Sequence, residues 1–391
     1  MRRESVFLRL YLYDVKFLAR ILHMADMHFD SAFTSNLSIN KSKLRRSEQR
    51  EVFSRIIEMV KTEQIDVMLI SGDLFDSENV SEETINFMVR KFDEISEIPV
   101  LIAAGNHDPF NMNSVYERIS LGDNVHIFSI EGGFYDFENL NLRVSGVSFG
   151  SEDGSNIKTP KTLHPEFSNI LVMHGNVVSG TAESGIRYNP VTKQEIENSG
   201  FDYIAFGHVH SFSGINVEGR TYWAYPGIPE PRGFDESGES GVVIGNVLKA
   251  GSEFNLRKVL KRNYHTLEIE ITADISDNEQ IIELIDSKIK EYGNQNIFRI
   301  ILIGKLRSDF FIDIDLLKSR TEKLGFFVEI KDETEMEYDL SVDIQDNSLR
   351  AEYIRLMQKK LDECVHGTRE YRIIENAVKY GLDAIECRLK P

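Results

Sequence analysis

The sequence predicts an α/β protein whose first and larger part is built from βαβ units, with a smaller α+β unit after it. Short apolar runs that each stop at a polar cluster alternate with stretches of helical periodicity, the rhythm of strands that cross over through helices. The chain has 391 residues, more than the roughly 250–300 at which a single core stops growing. Near Asn263 the pattern changes to alternating strands and amphipathic helices of a different order.

Leu18–Met24 (LARILHM) reads as a buried strand that opens into Ala25-Asp26-Met27-His28. Residues 46–64 place Val52, Ile56, Ile57 and Val60 at helical spacing. Ile65–Ile70 (IDVMLI) is a second buried strand, broken by Ser71-Gly72-Asp73. Ser81, Glu82 and Glu83 form a helix start, and Ile85, Met88, Val89 and Phe92 share one face of the helix that runs to Ser96. Ile98–Ala103 is a third strand, ended by Gly105-Asn106-His107-Asp108. Further on, Asn169–Met173 leads into His174, and Tyr203–Phe206 into Gly207-His208-Val209-His210. In open α/β sheets ligands bind beyond the carboxyl ends of strands, so five segments deliver polar clusters to the expected place of a site.

The second part reads as a strand (266–271), a helix (278–292), a strand (298–306), a helix (314–324) and a strand (326–330), followed by helices at 348–363 and 368–379. The expected domains are residues 1–262, 263–342 and 343–391. The two last helices carry apolar residues at helical spacing, which suits a hairpin packed on its own domain.

No apolar run of about 18 residues is present, and no membrane span is expected. Residues 1–12 (MRRESVFLRLYL) lack the long apolar core and small-residue site of a signal peptide; residues before Leu18 read as an appendage, with a translation start expected near Val15. Cys364 and Cys387 are the two cysteines, too few for a disulfide framework, which fits a reduced cytoplasmic setting. The net charge of −18 argues against binding nucleic acid through bulk electrostatics and leaves room for local basic patches. Lys41, Lys43, Arg45, Arg46 and Arg50 form one such cluster, and Arg257, Lys258, Lys261 and Arg262 another; Arg45 and Arg46 are the candidate substrate contacts.

The chemistry lies in the ordered set Asp26-x-His28, Gly72-Asp73, Asn106-His107-Asp108, His174 and His208-x-His210. Imidazole, carboxylate and amide oxygen donors without a thiolate suit Mn²⁺, Fe or Zn²⁺. Two such ions about 3.5–4 Å apart activate water and neutralise charge on a phosphoryl group. Asp73 is the candidate bridge, because its glycine neighbour lets the backbone turn tightly. His107 is the candidate acid for a leaving oxygen, with Asp108 beside it to orient the ring. His23 is expected to be a core or supporting residue.

These residues resemble the calcineurin-like metallophosphoesterase superfamily, and within it the DNA-repair exonuclease branch that includes the SbcD and YhaO types. The resemblance rests on HMADMHFDS at 23–31, SGDLFD at 71–76, GNHD at 105–108, MHG at 173–175, GHVH at 207–210 and YPGIPEPRGFDE at 225–236, and covers about residues 18–260. It implies a sandwich of two β-sheets flanked by helices, a small C-terminal capping domain, and terminal helices that dock on an SMC-like ATPase. It also implies one cation, Mn²⁺ expected, on Asp26, His28, Asp73 and His210, and another on Asp73, Asn106, His174 and His208, with His107 catalytic. Relatives carry a histidine where this chain has Asp76, a candidate substrate contact whose carboxylate offers a phosphate no positive donor.

The reading is therefore a Mn²⁺-dependent nuclease acting on DNA ends or single strands, with an ATPase partner and possible homodimerisation. The alternatives are a phosphatase or phosphodiesterase for nucleotides or other small esters, and a binding subunit with a vestigial site.

Overall fold

The structure, a computed structural model, describes residues 18–33, 37–151, 163–178, 188–249, 251–272, 274–306, 310–336, 340 and 348–385. The N-terminal appendage and Cys387 therefore lie outside the described residues. Described residues up to His265, with Gln295–Ile297, form one compact unit, and Thr266–Asn294 with those from Phe298 onward form a second.

Strands β1 (Ala19–Met24), β2 (Val67–Ser71), β3 (Val100–Ala103) and β4 (Val125–Ile127) pair in parallel, as the βαβ rhythm requires. Two further strands, β13 (Val242–Val247) and β14 (Glu253–Arg257), extend this sheet antiparallel beside β1, giving six strands in the order β14-β13-β1-β2-β3-β4. The second six-stranded sheet contains β5 (Gly133–Phe137), β6 (Leu142–Val147), β7 (Ser168–His174), β10 (Tyr203–Gly207), β11 (Asn216–Glu218) and β12 (Thr221–Ala224), in the order β11-β12-β10-β7-β6-β5. A small pair, β8 (Asn176–Val178) with β9 (Pro190–Thr192), stands apart.

The helices of this unit are α1 (Ile39–Thr62), α2 (Glu82–Asp93), the one-turn α3 (Val115–Arg118) and the short α4 (Lys193–Glu197). Ser38 and Ser81 cap α1 and α2 by accepting backbone N–H groups. The apolar stripe of α1 (Val52, Phe53, Ile56, Ile57, Val60) packs with Met68, Ile70, Ile102 and Ile244 from one face of the first sheet. The opposite face supplies Ile21, Val67, Leu69 and Leu101, which meet Val144, Ile170, Val172 and Ala205 of the second sheet. Leu171, Met173, Ile204 and Phe206 on the outer face of the second sheet pack with Ile196 of α4. Central strands buried on both faces explain the unbroken apolar runs in the sequence. The expected class, α/β with two sheets flanked by helices, is the observed one.

In the second unit, α5 (Asn278–Tyr292) and α6 (Ile314–Thr321) cover a sheet of β15 (Tyr264–Ile271), β16 (Ile297–Leu306), β17 (Phe327–Asp332) and β18 (Glu335–Met336). Helices α7 (Leu349–Asp362) and α8 (Arg369–Ile385) meet through Ile354, Met357, Val378 and Leu382, and the Tyr353 hydroxyl donates to the Ala377 carbonyl at 2.6 Å. Leu349, Leu356, Ile373 and Tyr380 are exposed on these two helices.

Candidate metal centre

The parallel strands β1, β2, β7 and β10 bring their carboxyl ends together, and the polar residues that follow each strand meet there. Four of these residues, Asp26, His28, Asp73 and His208, have φ values of 55°, 48°, 50° and 112°, a region that side chains other than glycine rarely adopt and that costs of order 1–3 kcal/mol at each position. Gly72 precedes Asp73 with φ of 87°, and a Cβ there would meet the His174 ring and the Gly105 backbone. Gln49 of α1 secures the first loop by donating from Nε2 to the carbonyls of Met27 and His28, at 2.5 and 3.2 Å.

Ligand-type atoms of Asp26, His28 and His210 all lie within 4.8 Å of one another, as do those of Asp26, Asp73 and His174, and those of His28, Asp73 and His107. Asn106 Oδ1 lies 3.0 Å from His174 Nε2. The His208 ring is 5.2 Å from that of His174, and its backbone N–H donates to Asp26. All seven candidate ligands thus converge, and Asp73 Oδ2 stands between the two groups, 3.6 Å from His28 Nε2 and 3.4 Å from His174 Nε2.

The donor chemistry fits cations. His28 Nδ1 donates to Asp76 Oδ1 at 3.1 Å, and His210 Nδ1 donates to Glu236 Oε1 at 2.9 Å. Their Nε2 atoms are left with lone pairs, and they face each other at 3.3 Å. His174 Nδ1 donates to the Ser71 carbonyl at 2.8 Å, so in the neutral ring a bare Nε2 faces two acceptors, Asn106 Oδ1 and Asp73 Oδ2, and only a proton or a cation there relieves the crowding. Acceptors set against acceptors repel unless a positive charge lies between them.

The protonation tendencies follow from the same crowding. Burial pulls the His174 imidazole down, but the Asp73 carboxylate outweighs it and raises the ring to about 9; the charge that attracts a proton there also attracts a cation. Burial, with the neighbouring His174, lowers His208 to about 4. Burial raises the Glu236 carboxyl, but hydrogen bonds from His210 and Arg232 override it and hold it at about 2.

His107 is exposed beside this group, its ring 4.8 Å from that of His28. Its Nδ1 donates to the Asp76 carbonyl at 3.1 Å, and its backbone N–H donates to Asp73 Oδ1 at 2.9 Å. With Asn106, Asp76, Ser77, Glu78, Asn79 and Tyr188 it lines a cavity of about 350 Å³.

Two expectations need correction, the role of Asp108 and the exposure of Arg45. Asp108 does not hold the His107 ring. Its buried carboxylate accepts backbone N–H groups of Asp73, Leu74, Phe75 and Gly105 and the Tyr116 hydroxyl. Arg45 is fully buried and pairs with Glu48, Glu230 and the Pro231 carbonyl, which removes it from any substrate; Arg46 is exposed on α1, outside the cavity lining. The basic clusters are also spoken for in part, with Arg50 on Glu83, Lys258 on Glu239, Lys261 on Glu51 and Arg262 on Glu48. Asp76 lines the cavity, yet its carboxylate is engaged by His28 and Arg232. His23 is a buried supporting residue as expected, bonded to Tyr203 and Ser71 and pushed down to about 3 by burial.

Sequence reasoning about single residues missed Arg232, Glu236, Gln49 and Tyr188. Arg232 and Glu236 lie in a stretch quoted only for its resemblance, and nothing local marks their role.

Comparison with known proteins agrees with this geometry. The sequence model of the family described as calcineurin-like phosphoesterase matches residues 19–212. The uncharacterized metallophosphoesterase YhaO of Bacillus subtilis (strain 168) is 25% identical over 344 residues, 82% of this chain and 83% of that protein. The DNA double-strand break repair protein Mre11 of Methanopyrus kandleri is 25% identical over 236 residues, 56% of this chain and 50% of its own length. Its namesake in Methanosarcina acetivorans is 26% identical over 300 residues, 71% of this chain and 45% of its own. The chain spans about half the length of these two Mre11 proteins. Among the described residues no helix is long and apolar enough to cross a membrane. Residues 19–212, which bear every one of the converging donors, therefore form a calcineurin-like phosphoesterase domain, and the chain is a phosphoester hydrolase.

Proposed function

We propose that Asp26, His28, Asp73, Asn106, His174, His208 and His210 hold two divalent cations, Mn²⁺ foremost, and that the protein is a nuclease cutting DNA ends or single strands. The observation that carries the reading is the pair of imidazole Nε2 atoms 3.3 Å apart, each with its Nδ1 already committed to a carboxylate. The choice of DNA as substrate draws on the Mre11 relatives, whose name places them in double-strand break repair.

When bound, two such cations supply Lewis acidity toward a phosphoryl oxygen and make water acidic enough to attack near neutral pH. The protein's own share is geometric. Asp76 and Glu236 fix the tautomers of His28 and His210, and Asp73 serves both groups of donors. His107 donates Nδ1–H to the Asp76 carbonyl, which fixes the ring at the cavity wall and leaves Nε2 to carry the proton that a departing oxygen needs. His107→Ala is expected to lower turnover about a hundredfold or more, the range of a lost general acid, with cation content unchanged. Steady-state hydrolysis and elemental analysis of the same preparation check both halves.

The exposed apolar residues of α7 and α8 support a docking role for these helices, with an SMC-like ATPase as the partner. The second reading, a phosphodiesterase for nucleotides or other small esters, is favoured by the acidic balance of −18 and by Asp76 and Glu78 on the cavity wall, which repel a polyanion. Purified protein with Mn²⁺, offered labelled single- and double-stranded DNA and, in parallel, bis-p-nitrophenyl phosphate, separates the two. DNA cleavage supports the nuclease, and release from the small diester alone overturns it in favour of the second reading.

A further inference from the structure

We propose that Arg232 is a positioning residue that sets the affinity and selectivity of the donor group Asp26, His28, Asp73 and His210 for its cation, by clamping the two carboxylates that stand behind its histidines. The inference rests on the cation-binding reading above and goes beyond it.

One guanidinium serves both carboxylates. Arg232 Nη1 donates to Asp76 Oδ1 at 2.8 Å, and Nε donates to Glu236 Oε1 at 2.9 Å, with Nη2 on the same oxygen. Its backbone N–H adds a bond to Glu236 Oε2 at 2.6 Å, and its carbonyl accepts from the Tyr264 hydroxyl at 2.9 Å. Those same carboxylate oxygens, Asp76 Oδ1 and Glu236 Oε1, are the ones that receive Nδ1–H of His28 and His210. The chain of contacts runs His28, Asp76, Arg232, Glu236, His210, and it closes on the two Nε2 atoms that face each other. None of these contacts reaches Asn106, His174 or His208.

The chemistry gives the clamp a purpose. A carboxylate held behind an imidazole fixes its tautomer and raises the basicity of the far nitrogen. A carboxylate released from its guanidinium is free to swing and offer its own oxygen to the cation. Imidazole nitrogen suits transition ions such as Fe or Zn²⁺, Mn²⁺ takes nitrogen and oxygen donors alike, and Ca²⁺ takes oxygen donors, so each carboxylate oxygen gained in place of an imidazole favours Ca²⁺. Arg232 thus keeps Asp76 and Glu236 out of the inner coordination of the site and keeps that site rich in imidazole. Lysine cannot reproduce a planar fork that spans two carboxylates.

The test is calorimetric titration of Mn²⁺ and of Ca²⁺ into full-length, chelator-stripped wild type, R232Q, R232K and D76N. The expected result is that R232Q and R232K both weaken one of two Mn²⁺ sites by about 10–100-fold, leave the other unchanged, and lower the preference for Mn²⁺ over Ca²⁺. D76N changes the half-exposed end of the clamp and is expected to weaken the same site, so it carries the test should R232Q fail to fold. Wild-type Mn²⁺ affinity and preference in R232K, or in D76N, overturn the inference, as does equal weakening of both sites. A wild-type protein that takes up no Mn²⁺ overturns instead the reading on which the inference rests.

Discussion

Replacing Asp73 by asparagine is expected to reduce hydrolysis by about ten-thousandfold or more and to lower the cation content below two per chain. Among the candidate ligands Asp73 reaches both groups, with one oxygen 3.6 Å from His28 Nε2 and 3.4 Å from His174 Nε2. Its other oxygen accepts the backbone N–H of His107 at 2.9 Å, so the same side chain anchors the loop that carries the candidate acid. Asparagine keeps the shape and removes the charge, and its amide protons then face a cation. The attraction that a carboxylate shared by two bound cations would supply is worth several kcal/mol of transition-state stabilisation, and about 5.5 kcal/mol corresponds to a factor of about 10⁴. Elemental analysis and diester hydrolysis measure the two effects. A variant that holds two ions at full activity would remove Asp73 from the centre of the site.

The largest stability effect is expected at Asp108. Its carboxylate is 1% exposed and accepts from Gly105 N at 2.8 Å, Asp73 N at 3.2 Å, Leu74 N at 2.8 Å, Phe75 N at 3.2 Å and the Tyr116 hydroxyl at 2.6 Å. Asp108→Ala strands all five donors, at about 1 kcal/mol or more each. A total near 5 kcal/mol lowers Tm by roughly 10–20 °C in a unit of this size. Asp108→Asn, which sets its own N–H group against some of the same donors, is expected to shift Tm in the same direction by less. Scanning calorimetry decides; an Asp108→Ala protein that melts with wild type would show that the loop after β2 is held by other means.

Asp108 also marks where sequence reading reaches its limit. Its place next to His107 suggests a partnership, but neighbours in a tight loop point apart, and this carboxylate turns inward to five donors, one from its own loop and four from two other segments. Arg45 fails for the same reason. Read with Lys41, Lys43 and Arg46 it looks like a basic surface, whereas its counter-charges, Glu48 and Glu230, come from its own helix and from a distant loop. Helical spacing shows only from Arg46, seven residues after α1 begins, because Ile39 and Leu44 are exposed and so contribute no inward stripe. The three-residue strands Val125–Ile127 and Asn216–Glu218 are too short to show a period. What was legible were the strands that end in Asp26, Asp73, Asn106, His174 and His208, because burial on both faces forces an unbroken apolar run and the abrupt polar stop stands out against it.

The left-handed backbone at residues 26, 28, 73 and 208 sets two kinds of fitness against each other. Glycine would relieve the torsional cost at each of these places, against the hydrogen bonds to backbone that Asp26 and Asp73 give up, while erasing the side chain for which the bend exists. Directed evolution that sorts variants by heat resistance alone would therefore discard catalysis first at these four codons. A screen for sturdier forms of this enzyme has to score turnover in the same round.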